Sequence, residues 1–110
     1  MTTFILISHR KAELELCDCP KSEALKELKK ALKADTLSET TLEDLSSKVK
    51  GAVILQDAKA FHKGALPNEN LYPYFFVGDT IVAKKGSEGY EMLTASDIDK
   101  FFEWYHGLEV

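Results

Sequence analysis

The chain has 110 residues, of which 45% are hydrophobic and 29% are charged. This length predicts one domain over residues 1–110, and the composition is typical of a folded globular protein. Acidic residues outnumber basic residues by 18 to 14, so the net charge is −4. That balance argues against direct binding of nucleic acid, because contacts with phosphate groups require a basic face.

The sequence predicts a cytoplasmic protein. It contains no apolar run near the roughly 18 residues that a membrane helix needs, and no basic segment precedes its short apolar N-terminal stretch. We therefore expect neither a membrane anchor nor a signal peptide. The chain has two cysteines, which are expected to stay free in a reducing compartment. A domain of this size is too small for a deep active site of its own, which favours a protein that works with partners.

The first third of the chain predicts one strand and one helix. The apolar run from Thr3 to Ser8 predicts a buried strand, and residues 9–19 are predicted to be polar and irregular. Residues 21–33 predict an amphipathic helix, since lysines occupy its other face. Its apolar residues recur at helical spacing, at Leu25, Leu28 and Leu32.

The middle of the chain predicts a second helix and a second strand. Residues 35–50 contain a thin apolar stripe, and a capping box for a helix is available at Thr40 with Glu43, or at Thr41 with Asp44. The run Ala52–Leu55 has no polar alternation, which is typical of a strand that is covered on both faces.

The last third of the chain contains one element that the sequence predicts as either a strand or a helix. Residues 72–77 predict a third strand that begins near Pro73. Gly78 and Asp79 then favour a hairpin with a return strand over residues 80–83, or else Asp79 caps a short helix that ends at Gly86. A short strand over residues 90–93 and a helix follow. Thr94 and Asp97 form a capping box for that helix, which is predicted to end near His106.

Alternating strands and helices predict an α/β sandwich with a mostly parallel sheet. In such sheets, functional residues gather at the carboxyl ends of the strands. The loops expected there are residues 9–19, 56–64 and 78–79.

Two cysteines form the one reactive constellation. Cys17 and Cys19 lie just ahead of the first predicted helix, where the helix dipole and Lys21 favour a thiolate, whereas Glu15 and Asp18 oppose one. A thiolate there could attack a sulfane sulfur or a disulfide. The alternative is that one cysteine is a small core residue and the other is incidental.

Other polar residues offer weaker sites. His9 and Arg10 follow the first strand and could hold an anion or tune a thiolate, although a solvated loop pair is the simpler interpretation. Two cysteines with only distant histidines do not supply the four ligands of a closed zinc site, so we expect no metal and no cofactor. Trp104 and Tyr105 in the last helix are candidate interface residues, or else Trp104 lies at the edge of the core.

Four stretches resemble the DsrH/TusB branch of the DsrE-like sulfur-relay family. Phe4–Arg10 is similar to the opening strand of that family, and Gly51–Ala60 is similar to its second strand, which is closed by Gln-Asp and a small residue. Tyr74–Gly86 is similar to its third strand with a short helix that starts at Asp and stops at Gly. Tyr90–Thr94 is similar to its last strand.

The resemblance implies a small flavodoxin-like fold with a helix over residues 79–86. Members of the family act in oligomers with DsrE- and DsrF-type subunits and pass sulfur between proteins as cysteine persulfide. In this chain Cys19 or Cys17 would carry the sulfur as the catalytic residue. The supporting residues would be His9, Arg10 and Asp57.

Three hypotheses about function follow. The first is a sulfur-relay subunit, a possible sulfurtransferase component. The second is a non-catalytic scaffold or interaction subunit of a homo- or hetero-oligomer, which acts through surface aromatics such as Trp104 and Tyr105. The third is a degenerate thioredoxin-like redox protein that uses Cys17 and Cys19.

Overall fold

The computed structural model describes residues 1–10 and 12–108 and shows a six-stranded sheet. Its strands are β1 (Thr2–Ile7), β2 (Leu14–Cys19), β3 (Leu37–Thr40), β4 (Ala52–Asp57), β5 (Thr80–Gly86) and β6 (Gly89–Glu91). The helices are α1 (Ala24–Leu32), α2 (Glu43–Lys48) and α3 (Ala95–His106). Single turns of 3-10 helix cover Lys21–Glu23 and Glu69–Leu71.

The direction of the strands corrects the predicted fold class. The order across the sheet is β2-β1-β5-β4-β3, and β6 pairs with the far end of β5. Every pairing among these strands is antiparallel. The prediction of a mostly parallel, flavodoxin-like (DsrE-like) sandwich is therefore wrong. The alternation of strands and helices suggested parallel neighbours. β1 and β4 do run in the same direction, but β5 lies between them and runs the opposite way.

Helices cover both faces of the sheet. α1 packs on one face, against Phe4, Val53, Leu55, Ile81 and Ala83. α2 and α3 pack on the other face, against Ile5, Ile7, Ile54 and Val82. Each central strand therefore buries both sets of its alternating side chains. This confirms that β4 is covered on both faces, although the neighbours of β4 are antiparallel.

Two helices follow the sequence closely. α1 buries Ala24, Leu28 and Leu32 and ends at Lys33, whose φ of 52° is left-handed. α3 begins at the predicted capping box, in which the Thr94 hydroxyl accepts from the backbone N–H of Asp97 at 3.1 Å, and the Asp97 carboxylate accepts from the backbone N–H of Thr94 at 3.0 Å. Its predicted end near His106 is also confirmed. Among the described residues, no helix is long and apolar enough to cross a membrane.

Two short strands were not predicted. The stretch of residues 9–19 expected to be irregular contains β2, and the segment expected to be one helix begins with β3. Thr40 pairs with Ile54 as the last residue of β3. α2 then follows Leu42, which makes no side-chain cap bond. Both predicted capping boxes are therefore wrong, because Thr40 is the last residue of β3 and Thr41 lies between β3 and the residue that precedes α2.

The segment before β5 is a loop. The third strand predicted over residues 72–77 is wrong. One residue of that segment, Val77, makes a β-bridge, with Pro67, while Pro73 has no N–H to donate to a ladder and follows a cis peptide bond. The helix that the resemblance implies over residues 79–86 is also wrong, because Thr80–Gly86 is a strand that pairs with β1 and β4.

Candidate interaction site

Two strands, β1 and β4, end at the same end of the sheet where β2, β3 and β5 begin, and we call it the loop end. Ile7 at the end of β1 and Gln56 near the end of β4 both pair with Thr80, the first residue of β5. The three segments that the sequence analysis placed at the carboxyl ends of strands therefore do start at one end. They meet because β1 and β4 are parallel to each other across β5. A long loop over residues 58–79, here called the β4–β5 loop, covers this end.

Asn68 fastens the β4–β5 loop to the sheet. Its side chain is buried, and its amide nitrogen lies 3.1 Å from the carbonyl oxygen of Ile7 and 3.0 Å from that of Gly78. Its side-chain oxygen accepts from the backbone N–H of Asn70. Backbone bonds from Asn68 to Phe76 and from Gly78 to Leu66 hold the two arms of the loop side by side.

Asn70 joins the same loop to the connection between β1 and β2. Its amide nitrogen donates to the carbonyl oxygens of Ser8 at 2.8 Å and Arg10 at 2.6 Å. Its oxygen accepts from the backbone N–H of Ala12 at 2.7 Å and from the Tyr105 hydroxyl at 3.2 Å. All four bonding positions of this amide are used, so the loop has one defined backbone shape.

The tip of the β4–β5 loop carries a groove lined mostly by aromatic residues, which we call the aromatic groove. Its lining residues are Pro67, Asn68, Glu69, Tyr72, Pro73, Tyr74, Phe75 and Phe76, and its volume is about 470 Å³. Tyr72 and Phe75 are 75% and 73% exposed, whereas Leu71 and Phe76 point into the core. The inward pair anchors the loop, and the outward pair presents aromatic surface to solvent. Glu69 is the one charged residue of this lining.

Trp104 supports the groove from inside. The indole is 4% exposed, and its ring stacks on that of Tyr74 with centroids 6.1 Å apart. This burial corrects the prediction that Trp104 is an interface residue and agrees with the alternative that it belongs to the core. Trp104 and Phe101 both lie in α3, and both pack into the same core cluster. The Tyr74 hydroxyl donates to Asp44 at 2.9 Å. That bond and burial raise the pKa of Tyr74.

His9 and Asp79 form a hydrogen-bonded pair beside the loop. Nδ1 and the backbone N–H of His9 each lie 2.9 Å from Oδ1 of Asp79. Burial alone would raise the pKa of Asp79, but the two bonds to His9 and the nearby charge of Arg10 hold it below its usual value. Arg10 is exposed, and its backbone N–H donates to the Ser8 hydroxyl. His9 therefore serves to join the end of β1 to the start of β5.

Asp57 forms an ion pair with Lys63 at the loop end. Its carboxylate accepts from Lys63 Nζ at 2.6 Å and from the backbone N–H of Lys59 at 2.9 Å. Burial opposes ionisation, but these bonds hold the pKa of Asp57 below its usual value. Lys63 also reaches the carbonyl oxygen of Lys33. The pair fixes the first turn of the β4–β5 loop.

The cysteines lie away from these groups. In β2, Cys17 pairs with Phe4 of β1, and Cys19 pairs with Thr2. His9 comes five residues after Phe4, so along the strand direction it lies roughly 17 Å from Cys17. Both thiols are free, with Cys17 half-buried and Cys19 buried. The structure therefore does not bring His9, Arg10 or Asp57 to the cysteines.

The surroundings of both cysteines disfavour a thiolate. Burial, then Glu15 and Asp18, raise the pKa of Cys17. Burial, then Glu27, Asp18 and Glu23, raise the pKa of Cys19. α1 begins only at Ala24, and a helix dipole acts within about one turn. Both surroundings therefore oppose formation of the thiolate, which is the nucleophilic form of cysteine.

Comparisons with known proteins add no relative. Models of protein families, curated proteins and solved structures were each compared with the chain, and none of them matches. Within residues 1–10 and 12–108, no group of three or more His, Cys, Asp or Glu side chains is arranged to hold a metal ion. The resemblance to the sulfur-relay family stays a prediction.

The sequence analysis missed the residues that build the groove. It gave residues 67–70 no role and predicted a strand over residues 72–77. A signal was present, because Pro67 and Pro73 enclose two asparagines and are followed by three consecutive aromatic residues. Prolines interrupt ladders and asparagines bond to nearby backbone. Such a stretch predicts a structured loop that carries aromatic side chains.

Proposed function

We propose that this protein is an interaction module that binds an apolar segment of another protein in the aromatic groove. The observation that carries the proposal is the exposure of Tyr72 and Phe75 on a loop whose backbone is fixed by two buried asparagines. Interfaces are rich in tyrosine and other aromatic residues. A surface that needs no ordering on binding loses little conformational entropy.

The lining suggests the chemistry of the partner. Six of its eight lining residues are aromatic or proline, and its one charged residue is Glu69. An apolar segment of a protein, such as one with proline or aliphatic side chains, matches this lining. The proposal keeps the interaction hypothesis from the sequence but moves the surface from Trp104 to the β4–β5 loop.

The test is selection of peptides against the immobilised full chain, followed by affinity measurement with fluorescence anisotropy. We expect selected peptides to bind about tenfold more weakly to Tyr72→Ala and to Phe75→Ala, since central aromatic residues contribute more than about 1 kcal/mol each. Phe61→Ala is the matched control, because Phe61 is also exposed but does not line the groove. Failure to select any peptide, or equal weakening by Phe61→Ala, would refute the proposal.

Sulfur relay through Cys17 or Cys19 remains a proposal. Both thiols are free, and a free thiol is the minimum that a carrier of persulfide requires. The DsrE- and DsrF-type partners and the cytoplasmic location are proposals as well. A reducing compartment agrees with two unpaired thiols.

A further inference from the structure

One outer edge of the sheet is open. β2 pairs with β1 over its whole length, from Leu14 opposite Ile7 to Cys19 opposite Thr2. Among the described residues, no strand pairs with the other side of β2. In an antiparallel strand, alternate residues direct their N–H and C=O groups away from the paired neighbour. β2 therefore presents a row of backbone donors and acceptors, which is a template for another extended segment.

An apolar groove lies beside this edge. It has a volume of about 210 Å³ and is lined by Ile5, Leu14, Glu15, Leu16, Ile98 and Phe102. Leu16 is 53% exposed and Phe102 is 37% exposed. Leu14 and Leu16 point to the same face, since they are two residues apart in a strand. A segment added next to β2 would place every second side chain over this groove.

The charge of the edge selects among partners. Every charged residue within β2 is acidic, namely Glu15 and Asp18, and the exposed Glu13 precedes the strand. Glu15 lies on the face opposite to Leu14 and Leu16, whereas Asp18 lies on the face of the two leucines, at the other end of the strand from Leu14. A second copy of the chain would bring two acidic strands together, which like charges disfavour, whereas a basic segment would neutralise them.

We propose that β2 binds an extended segment of another protein by strand addition, and that this segment alternates aliphatic residues with Lys or Arg. The aliphatic side chains fill the groove between Leu16 and Phe102, and the basic side chains face Glu15. The surface is distinct from the aromatic groove, so this inference does not depend on the proposed function.

The experiment uses the ¹⁵N-labelled full chain and the peptide acetyl-Lys-Val-Lys-Leu-Lys-Val-Lys-amide. We expect the amide resonances of Leu14–Cys19 to shift and their hydrogen exchange to slow on titration. Binding should weaken between about 50 and 300 mM NaCl, because salt screens exposed charges. Glu15→Gln should weaken it about threefold, and Glu88→Gln, an exposed change in the turn between β5 and β6, should leave it unchanged.

Two altered peptides decide the mode of binding. A version with an N-methyl group on every amide has no backbone N–H donor on either side, so it should not bind β2. A version with Glu in place of Lys should bind at least tenfold more weakly. The inference is overturned if the methylated peptide binds as well as the parent, or if the acidic peptide does. It is also overturned if the shifts lie outside β2, or if sedimentation shows that β2 is already occupied by a second copy.

Discussion

The side-chain amide of Asn68 donates to the carbonyl oxygen of Ile7 at 3.1 Å and so joins the β4–β5 loop to the end of β1. We expect Asn68→Ala to lower the free energy of unfolding by about 2–4 kcal/mol, because it leaves the buried carbonyl groups of Ile7 and Gly78 without this donor. Glu69→Gln, at the exposed neighbouring position, should change stability by less than about 0.5 kcal/mol. Urea unfolding measures both. Equal stability of the two variants would show that Asn68 does not fasten the loop.

Adjacent phenylalanines in the β4–β5 loop should respond in opposite ways to truncation. Phe76 is buried in the core, whereas Phe75 is exposed. We expect Phe76→Ala to lower the free energy of unfolding by about 3–5 kcal/mol, since it removes buried apolar surface and leaves a cavity. Phe75→Ala should stay within about 0.5 kcal/mol of the wild type. Thermal unfolding of the two variants gives the comparison, and a large loss for Phe75→Ala would mean that its ring supports the fold and is not free to bind a partner.

The thiols of β2 should react slowly at about pH 7, because burial and nearby carboxylates raise the pKa values of Cys17 and Cys19. Alkylation followed by intact mass should modify Cys17 before the buried Cys19, and both rates should rise with pH. Cys17→Ser and Cys19→Ser identify the modified residue.

The same variants test sulfur relay. A mass gain of about 32 Da, one sulfur atom, after incubation with a persulfide donor would support the relay hypothesis if one variant abolishes it. Intact thiols after prolonged incubation at about pH 7 would count against that hypothesis.

Stability should fall in acid partly through Asp57. Its pKa in the folded protein lies below the ordinary value, so its contribution is present above about pH 4 and is lost as pH falls through the lower, folded value. We expect Asp57→Asn to lower the free energy of unfolding by about 1 kcal/mol at neutral pH, and this cost should disappear as the pH falls through the folded-state pKa of Asp57. Urea unfolding at a series of pH values measures the difference in the free energy of unfolding between the variant and the wild type. Asp35→Asn, at an exposed position, is the control, and its difference in stability from the wild type should not change with pH. If the difference for Asp57→Asn also stays constant with pH, the ion pair of Asp57 does not stabilise the fold in the expected way.

Local signals in the sequence predicted the elements whose residues satisfy one another nearby. The Thr94 and Asp97 capping box and the leucine spacing of α1 need only three or four neighbouring residues. The capping box is confirmed. The helix α1 is confirmed as well, with Leu28 and Leu32 buried, but Leu25 is exposed. β2 was missed although Leu14, Leu16 and Asp18 alternate with Glu15 and the two cysteines. A partly exposed edge strand has a weak apolar signal, and its pairing partner in β1 determines its structure.

Strand direction and the loop end depend on distant residues. The apolar run of β4 is equally compatible with a parallel sheet and with an antiparallel sheet that has helices on both faces. Asn68 and Asn70 bond to residues about 60 positions earlier in the chain, such as Ile7 and Ser8. No local pattern contains those partners, so the sequence alone did not indicate the groove that they support.

The central position of β5 has a consequence for synthesis of the chain. β1 and β4 both pair with β5 and not with each other, and β5 ends at Gly86 of the 110 residues. A nascent chain that has released only its first 79 residues holds two half-sheets, β2 with β1 and β4 with β3. Because these halves meet only through β5, the complete sheet forms only after β5 has been released, and until then four strand edges stay open to other chains.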